Sequence, residues 1–179
     1  MTFTRMASHK AITVTLAVVA LLVVALTLFK GELSLGGLWS TSAHAGHRSL
    51  NLQPFYSWQH YSVWWGPWTN TIGNIVMFVP LSFLITGWLN QRSSTRHPAV
   101  WAVVIGIGLS LCIEVAQFAL AVGYSDVDDL MFNSVGAVVG AVLFIRLGAR
   151  KRGIVTAFSL LGSVLVLALM LASSTYLLD

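Results

Sequence analysis

The sequence predicts an all-α, polytopic membrane helix bundle of about five transmembrane helices, with a cytoplasmic N-terminus and an aromatic-rich external loop. Three observations carry this prediction. Of the 179 residues, 56% are hydrophobic and only 9% charged, with mean hydropathy +0.80, where ordinary soluble domains carry about 25% charged residues. Five apolar segments approach the ~20 helical residues that cross a hydrocarbon layer of roughly 30 Å. With the N-terminus inside, Arg5, Lys10, Arg92, Arg96, Arg146, Arg150, Lys151 and Arg152 all face the cytoplasm, and only Lys30 and Arg48 face outward. That asymmetry is what fixes orientation.

The elements follow in order. Residues 1–29 hold the first span, near 11–29, as an N-terminal anchor. Ala43-His44-Ala45 has the look of a signal cleavage site. It lies well beyond the apolar run, which itself exceeds the 7–15 residues of a signal core, so the anchor reads as retained. Residues 30–71 form the external loop, with five of the seven tryptophans (Trp39, Trp58, Trp64, Trp65, Trp68) beside Phe55, Tyr56 and Tyr61. Amphipathic aromatics gather at headgroup level, so this loop is expected on the membrane surface, as an anchoring belt or as a lid over a ligand. His44 and His47 lack a third nearby ligand and read as solvated.

Residues 72–147 form a three-helix core with spans near 72–89, 99–122 and 130–147, and residues 148–179 add a basic turn and a last span near 154–178. Arg150-Lys151-Arg152 suits the anionic lipid of the inner leaflet. A net charge of +4 would suggest a nucleic-acid partner in a soluble protein. Here the bases border apolar segments and report topology, so no nucleic-acid partner is expected. Membrane lipids are. The single Cys112 excludes an intrachain disulfide and reads as a packed thiol.

The third span places a carboxyl group, Glu114, inside an apolar run, where a charge is costly unless neutralised, solvated or paired. Gly106, Ser110, Glu114, Gln117 and Ala121 recur on one helical face. That stripe belongs against other helices, since lipid offers its polar groups no partners. The fourth span carries Asn133, Gly136 and Gly140, whose G-x-x-x-G spacing permits close backbone approach; an interface with the Glu114 stripe is expected. The second span contributes Asn74 and Pro80. The proline deprives the Val76 carbonyl of its helical donor, predicting a kink, and Ser82 and Thr86 are candidates to satisfy freed backbone groups. At 1.5 Å rise per residue, Glu114 lies about 10 Å below the external end of its span, and Gln117, Asn74 and Asn133 share that outer half. Glu114, if protonated, is positioned to hydrogen-bond Gln117 or Asn133.

Asp126, Asp128 and Asp129 stand directly above. One carboxylate just before a span caps its free N–H groups and complements its dipole. Three within four residues repel one another, which a divalent cation such as Ca²⁺ or Mg²⁺, or a basic ligand group, would relieve.

Four blocks together resemble the VanZ-like family of bacterial membrane proteins: Arg48-Ser49-Leu50-Asn51-Leu52-Gln53-Pro54-Phe55, Gly73-Asn74-Ile75-Val76-Met77-Phe78-Val79-Pro80-Leu81, Glu114-Val115-Ala116-Gln117, and Asp126-Val127-Asp128-Asp129 with Asn133-Ser134-Val135-Gly136. There are two departures: Ser82 stands where a glycine is expected, and Gly123-Tyr124-Ser125 where an arginine commonly precedes the acidic run. Arg48 is a candidate substitute in anion binding. The resemblance implies a multi-pass protein of the bacterial cell membrane, linked to the envelope and to resistance to the glycopeptide teicoplanin. No settled activity comes with it.

Three function classes fit. The first is a binding protein for an envelope lipid or cell-wall-related molecule, held by Asn74, Glu114, Gln117, Asp126, Asp128, Asp129, Asn133 and Arg48. The second is a membrane enzyme acting on a lipid-linked head group, with Glu114 as acid or base and the three aspartates on a divalent ion. The third is a small transporter titrating at Glu114. The absence of a Ser or Cys nucleophile with a histidine base argues against covalent acyl transfer. Ligand identity and oligomeric state are not legible in the sequence.

Overall fold

The computed structural model describes residues 8–28, 49–60, 64–92, 95–121 and 124–175. Within them run α1 (His9–Leu28), β1 (Ser49–Asn51), α2 (Tyr56–His60), α3 (Gly66–Asn90), α4 (Pro98–Leu120), β2 (Tyr124–Asp126), α5 (Val127–Arg146) and α6 (Ala149–Thr175). Five of these helices, α1, α3, α4, α5 and α6, are long and apolar enough to cross a membrane.

Helix ends follow local chemistry. The Ser8 hydroxyl accepts from the Ala11 N–H at 3.2 Å and starts α1. Pro67 and Pro98 open α3 and α4, where a missing N–H costs nothing. Ala121 closes α4 in the left-handed region at φ 54°. Asp126 caps α5 with its carboxylate on the Asp128 N–H at 3.0 Å, and Arg146 sits in the last turn, so both ends complement the helix dipole.

Two boundaries differ from the sequence reading. The second span begins at Gly66, not 72, so Trp68 is helical. The last begins at Ala149, not 154, which puts Arg150, Lys151 and Arg152 inside the helix and leaves only Leu147 and Gly148 as the turn. Both misreadings treated polar or aromatic residues as loop. A helix continues through the headgroup region without penalty, because its charges reach water there.

The core centres on α3, the most enclosed span, whose Phe78, Leu81, Phe83 and Leu84 are almost fully buried with Val19 and Val23 of α1 and Ala102 of α4. Helix α5 packs chiefly against α3. A Cβ added at Gly136 would lie 2.5 Å from the Ile75 carbonyl oxygen, and one at Gly140 would overlap the Val79 carbonyl oxygen. The two glycines therefore serve α3, and not the Glu114 stripe as expected. Ala137 takes that role: a Cβ at Gly106 would meet its methyl at 2.9 Å.

Pro80 lies inside α3, which continues as helix on both sides of it. Two further expectations are corrected. The Thr86 hydroxyl donates to the Ser82 carbonyl at 2.8 Å, and the buried Ser82 hydroxyl has no partner among the described residues, so neither serves the Val76 carbonyl. Cys112 is exposed on the outer face of α4; its apolar neighbourhood in sequence is a lipid-facing surface rather than a core.

A short parallel pair, β1 with β2, joins residues far apart in sequence, with Leu50 opposite Ser125 and Asn51 opposite Asp126. Strands this short gave no periodic signal. Around them Trp58 stacks edge-on against Trp68 at 4.6 Å, and Trp64 against Trp65 at 6.0 Å. Trp39, Tyr61, His44 and His47 lie outside the described residues.

The glycine contact generates a direct test. Gly140→Ala is expected to destabilise the folded protein by about 1–3 kcal/mol, since the methyl meets backbone that cannot swing away. Gly162→Ala, where nothing lies within 4 Å, is expected to leave thermal unfolding in detergent unchanged or slightly raised.

Candidate functional site

All four described acids meet at one end of the bundle, and no described Lys or Arg accompanies them. This end holds the C-termini of α1 and α4, the N-termini of α3 and α5, and the β1–β2 pair. Glu114, 6% exposed, accepts the backbone N–H of Asp126 at 2.9 Å and so fixes the start of α5 against α4. One turn further along α4, Ser110 accepts from the Asn133 amide at 2.9 Å, with Gly106 and Ala137 one turn beyond. This is the stripe the sequence predicted, paired in antiparallel order.

The aspartates divide their work. Asp126 accepts from the Asn51 amide at 3.3 Å besides capping α5. Asp128, 1% exposed, accepts from the Phe55 N–H at 2.7 Å. Phe55 has φ 61°, rare for a bulky residue, and its ring lies edge-on to Phe132. Asp129 gathers two amides of α3, Asn70 at 2.7 Å and Asn74 at 2.5 Å. Each carboxylate is thus drawn to a different element. Among the described residues no three His, Cys, Asp or Glu side chains are grouped to hold a metal ion. The repulsion is met by separate hydrogen-bond donors instead.

Neither Gln117 nor Asn133 bonds Glu114, contrary to expectation. The Gln117 amide donates to the Thr27 carbonyl of α1 at 3.0 Å and ties that helix to α4. Asn74 is engaged by Asp129. Arg48 lies outside the described residues. Asn70 is absent from the sequence reading, and Asn51 and Phe55 enter it only through the first family block and the aromatic loop, not as site residues. Asn70 was legible as the residue one turn before Asn74, and Asn51 stands beside the turn that its own side chain stabilises through the Gln53 N–H at 3.1 Å.

Several acceptors at this end have no donor among the described residues: Asp128 Oδ2, Asn133 Oδ1 and Gln117 Oε1 are buried and unbonded there. An unsatisfied buried acceptor costs about 1–3 kcal/mol, more when charged. All three unmatched atoms are acceptors, so among the described residues it is hydrogen-bond donors that this end is short of.

Burial pushes the Asp126 carboxyl above its ordinary value of 3.8. The Asp128 N–H opposes that shift, the charges of Asp129 and Asp128 add to it, and the Asn51 amide again opposes it. The folded chain therefore holds this proton more tightly than the unfolded chain. Its contribution to stability is fullest below 3.8 and is lost as pH rises through the folded value. Asp126→Asn keeps the capping oxygen and removes the titration. Between roughly pH 4 and pH 7 the thermal midpoint of the variant is expected to fall less than that of the parent; parallel slopes would refute this.

A model of the VanZ/LLP1 family matches residues 16–148. Protein VanZ of Enterococcus faecium is 32% identical over 97 residues, covering 54% of this chain and 53% of that protein. The chain thus spans about half the length of the curated relative it matches. No solved structure matches it. Five membrane-length helices and a family match over most of their extent lead to one conclusion: the chain belongs to the VanZ/LLP1 family and is a multi-pass protein of the bacterial membrane.

Proposed function

We propose that this protein binds an envelope molecule, lipid-linked or derived from the cell wall, at the acid-and-amide end of its bundle in the outer half of the bilayer. The observation that carries the reading is the set of buried, donorless acceptors, Asp128 Oδ2, Asn133 Oδ1 and Gln117 Oε1, at an end with four acids and no described Lys or Arg. A ligand that supplies N–H groups, an amine above all, gives these acceptors their donors and meets the Asp128 carboxylate with a positive charge. The positive-inside bias assigns the acidic end to the external face. Exposed Trp58, Trp64, Trp65 and Trp68 beside it offer amphipathic surface to a prenyl or acyl anchor. Membership beside a relative named VanZ supports a role in glycopeptide resistance or envelope homeostasis as the biological setting.

In this reading the four acids do two jobs. Oxygens already bonded, such as Asp128 Oδ1 on Phe55, hold the site together, and the opposite oxygen contacts the ligand. Binding without turnover follows, because the carboxylates are committed to structural donors and no activated nucleophile stands among them.

The test uses purified protein in nanodiscs and a fluorescent prenyl-anchored muropeptide with a free amine. Asp128→Asn can keep the acceptor for Phe55 while exchanging the donorless oxygen for an amide. It is expected to weaken binding about tenfold or more with the fold intact, as is acetylation of the amine. Equal binding by parent and variant, or by amine and acetamide, would contradict the proposal.

A further inference from the structure

We infer a second ligand site at the opposite, basic end: an anionic phospholipid, its phosphate on Arg152 and its acyl chain along the apolar wall of the shallow groove between α1, α3, α5 and α6. This site is independent of the one proposed above. The groove is shallow, with a cavity volume of about 20 Å³, and its lining includes Ile12, Gly87, Gln91, Phe144, Arg152 and Thr156. Gly87 lets Phe144 and Ile12 pack closely on α3, since a Cβ there would lie 2.9 Å from the Phe144 ring and 3.4 Å from Ile12.

Arg152 is held ready for an oxyanion. Its Nε donates to the Phe144 carbonyl at 2.8 Å, and its guanidinium lies 4.1 Å over the Phe144 ring. These two contacts fix the plane of the fork. The terminal nitrogens, carrying four of the five N–H groups, bond nothing among the described residues. Every described acid lies at the far end of the bundle, so no described carboxylate serves as counter-ion. A guanidinium fixed in this way matches a phosphate bidentately, where a lysine would act only as a point charge.

Charge and location choose the occupant. Arg146, Arg150 and Lys151 are exposed at the same end, and Arg92 lies 3.7 Å over the Trp88 ring. The positive-inside bias puts this end at the inner leaflet, whose anionic lipids it complements. Free phosphate would leave the apolar wall of the groove uncovered. A phospholipid occupies both halves of the site.

Native mass spectrometry of the full chain, titrated with phosphatidylglycerol or phosphatidylcholine, tests the inference. The parent is expected to retain phosphatidylglycerol preferentially. Arg152→Gln should lower that retention about tenfold, Arg152→Lys should lower it in part, and Arg146→Gln should leave it nearly unchanged. Should Arg152→Gln fail to fold, Arg152→Lys decides: retention equal to the parent overturns the bidentate site. Absence of preference in the parent, no effect of Arg152→Gln, or an equal loss in Arg146→Gln would overturn it as well, the last showing general attraction to a basic surface.

Discussion

The architecture depends on how the first turn of α5 is held. Four carboxylates at the membrane boundary must each find donors, because leaving them bare in a weakly polar setting costs more than any packing there returns. The donors come from separate parts of the chain: the Asp126 N–H for Glu114, Phe55 and Asn51 from the segment before α2, and Asn70 and Asn74 from α3. Satisfying the acids is therefore the same event as joining that segment, α3 and α4 to α5. The left-handed Phe55 is explicable only there, with its N–H on Asp128 and its ring on Phe132.

A second constraint acts deeper in the bilayer, where hydrophobic burial does not favour protein over lipid and close packing must serve instead. Gly136 and Gly140 let α5 lie against the α3 backbone, while Asn133 and Ala137 turn toward α4. At about 100° per residue, Gly136 lies some 60° round the helix from Asn133, enough to meet a different neighbour. One helix thus serves two interfaces, and its acids project from their shared upper edge.

These features explain what the sequence disclosed. Spans were visible because apolar length is a property of a single segment. The polar end was visible because Glu114, Asn74, Asn133 and the aspartates are costly residues at matching depth. Their pairings were not, because half of the donors are backbone N–H groups, which no side-chain pattern marks. The β1–β2 pair joins residues 75 apart through strands too short for alternation to register. A glycine spacing reveals a contact face without its neighbour, hence the misassigned partner of Gly136 and Gly140. Cys112 shows the same limit: an apolar run does not distinguish core from lipid.

The two ends of the molecule differ in the chemistry they leave unfinished. Among the described residues, the acidic end has buried acceptors without donors, and the Arg152 guanidinium at the basic end has terminal N–H groups without an acceptor. The account as a whole rests on the acids acting as clamps. A double-mutant cycle pairing Asn74→Ala with Asp129→Ala, read by unfolding in a fixed detergent, tests this most directly. Clamping predicts a coupling energy of about 1–3 kcal/mol between the two residues. Strictly additive losses would mean that Asp129 and Asn74 stabilise the fold separately, and the clamp would not exist.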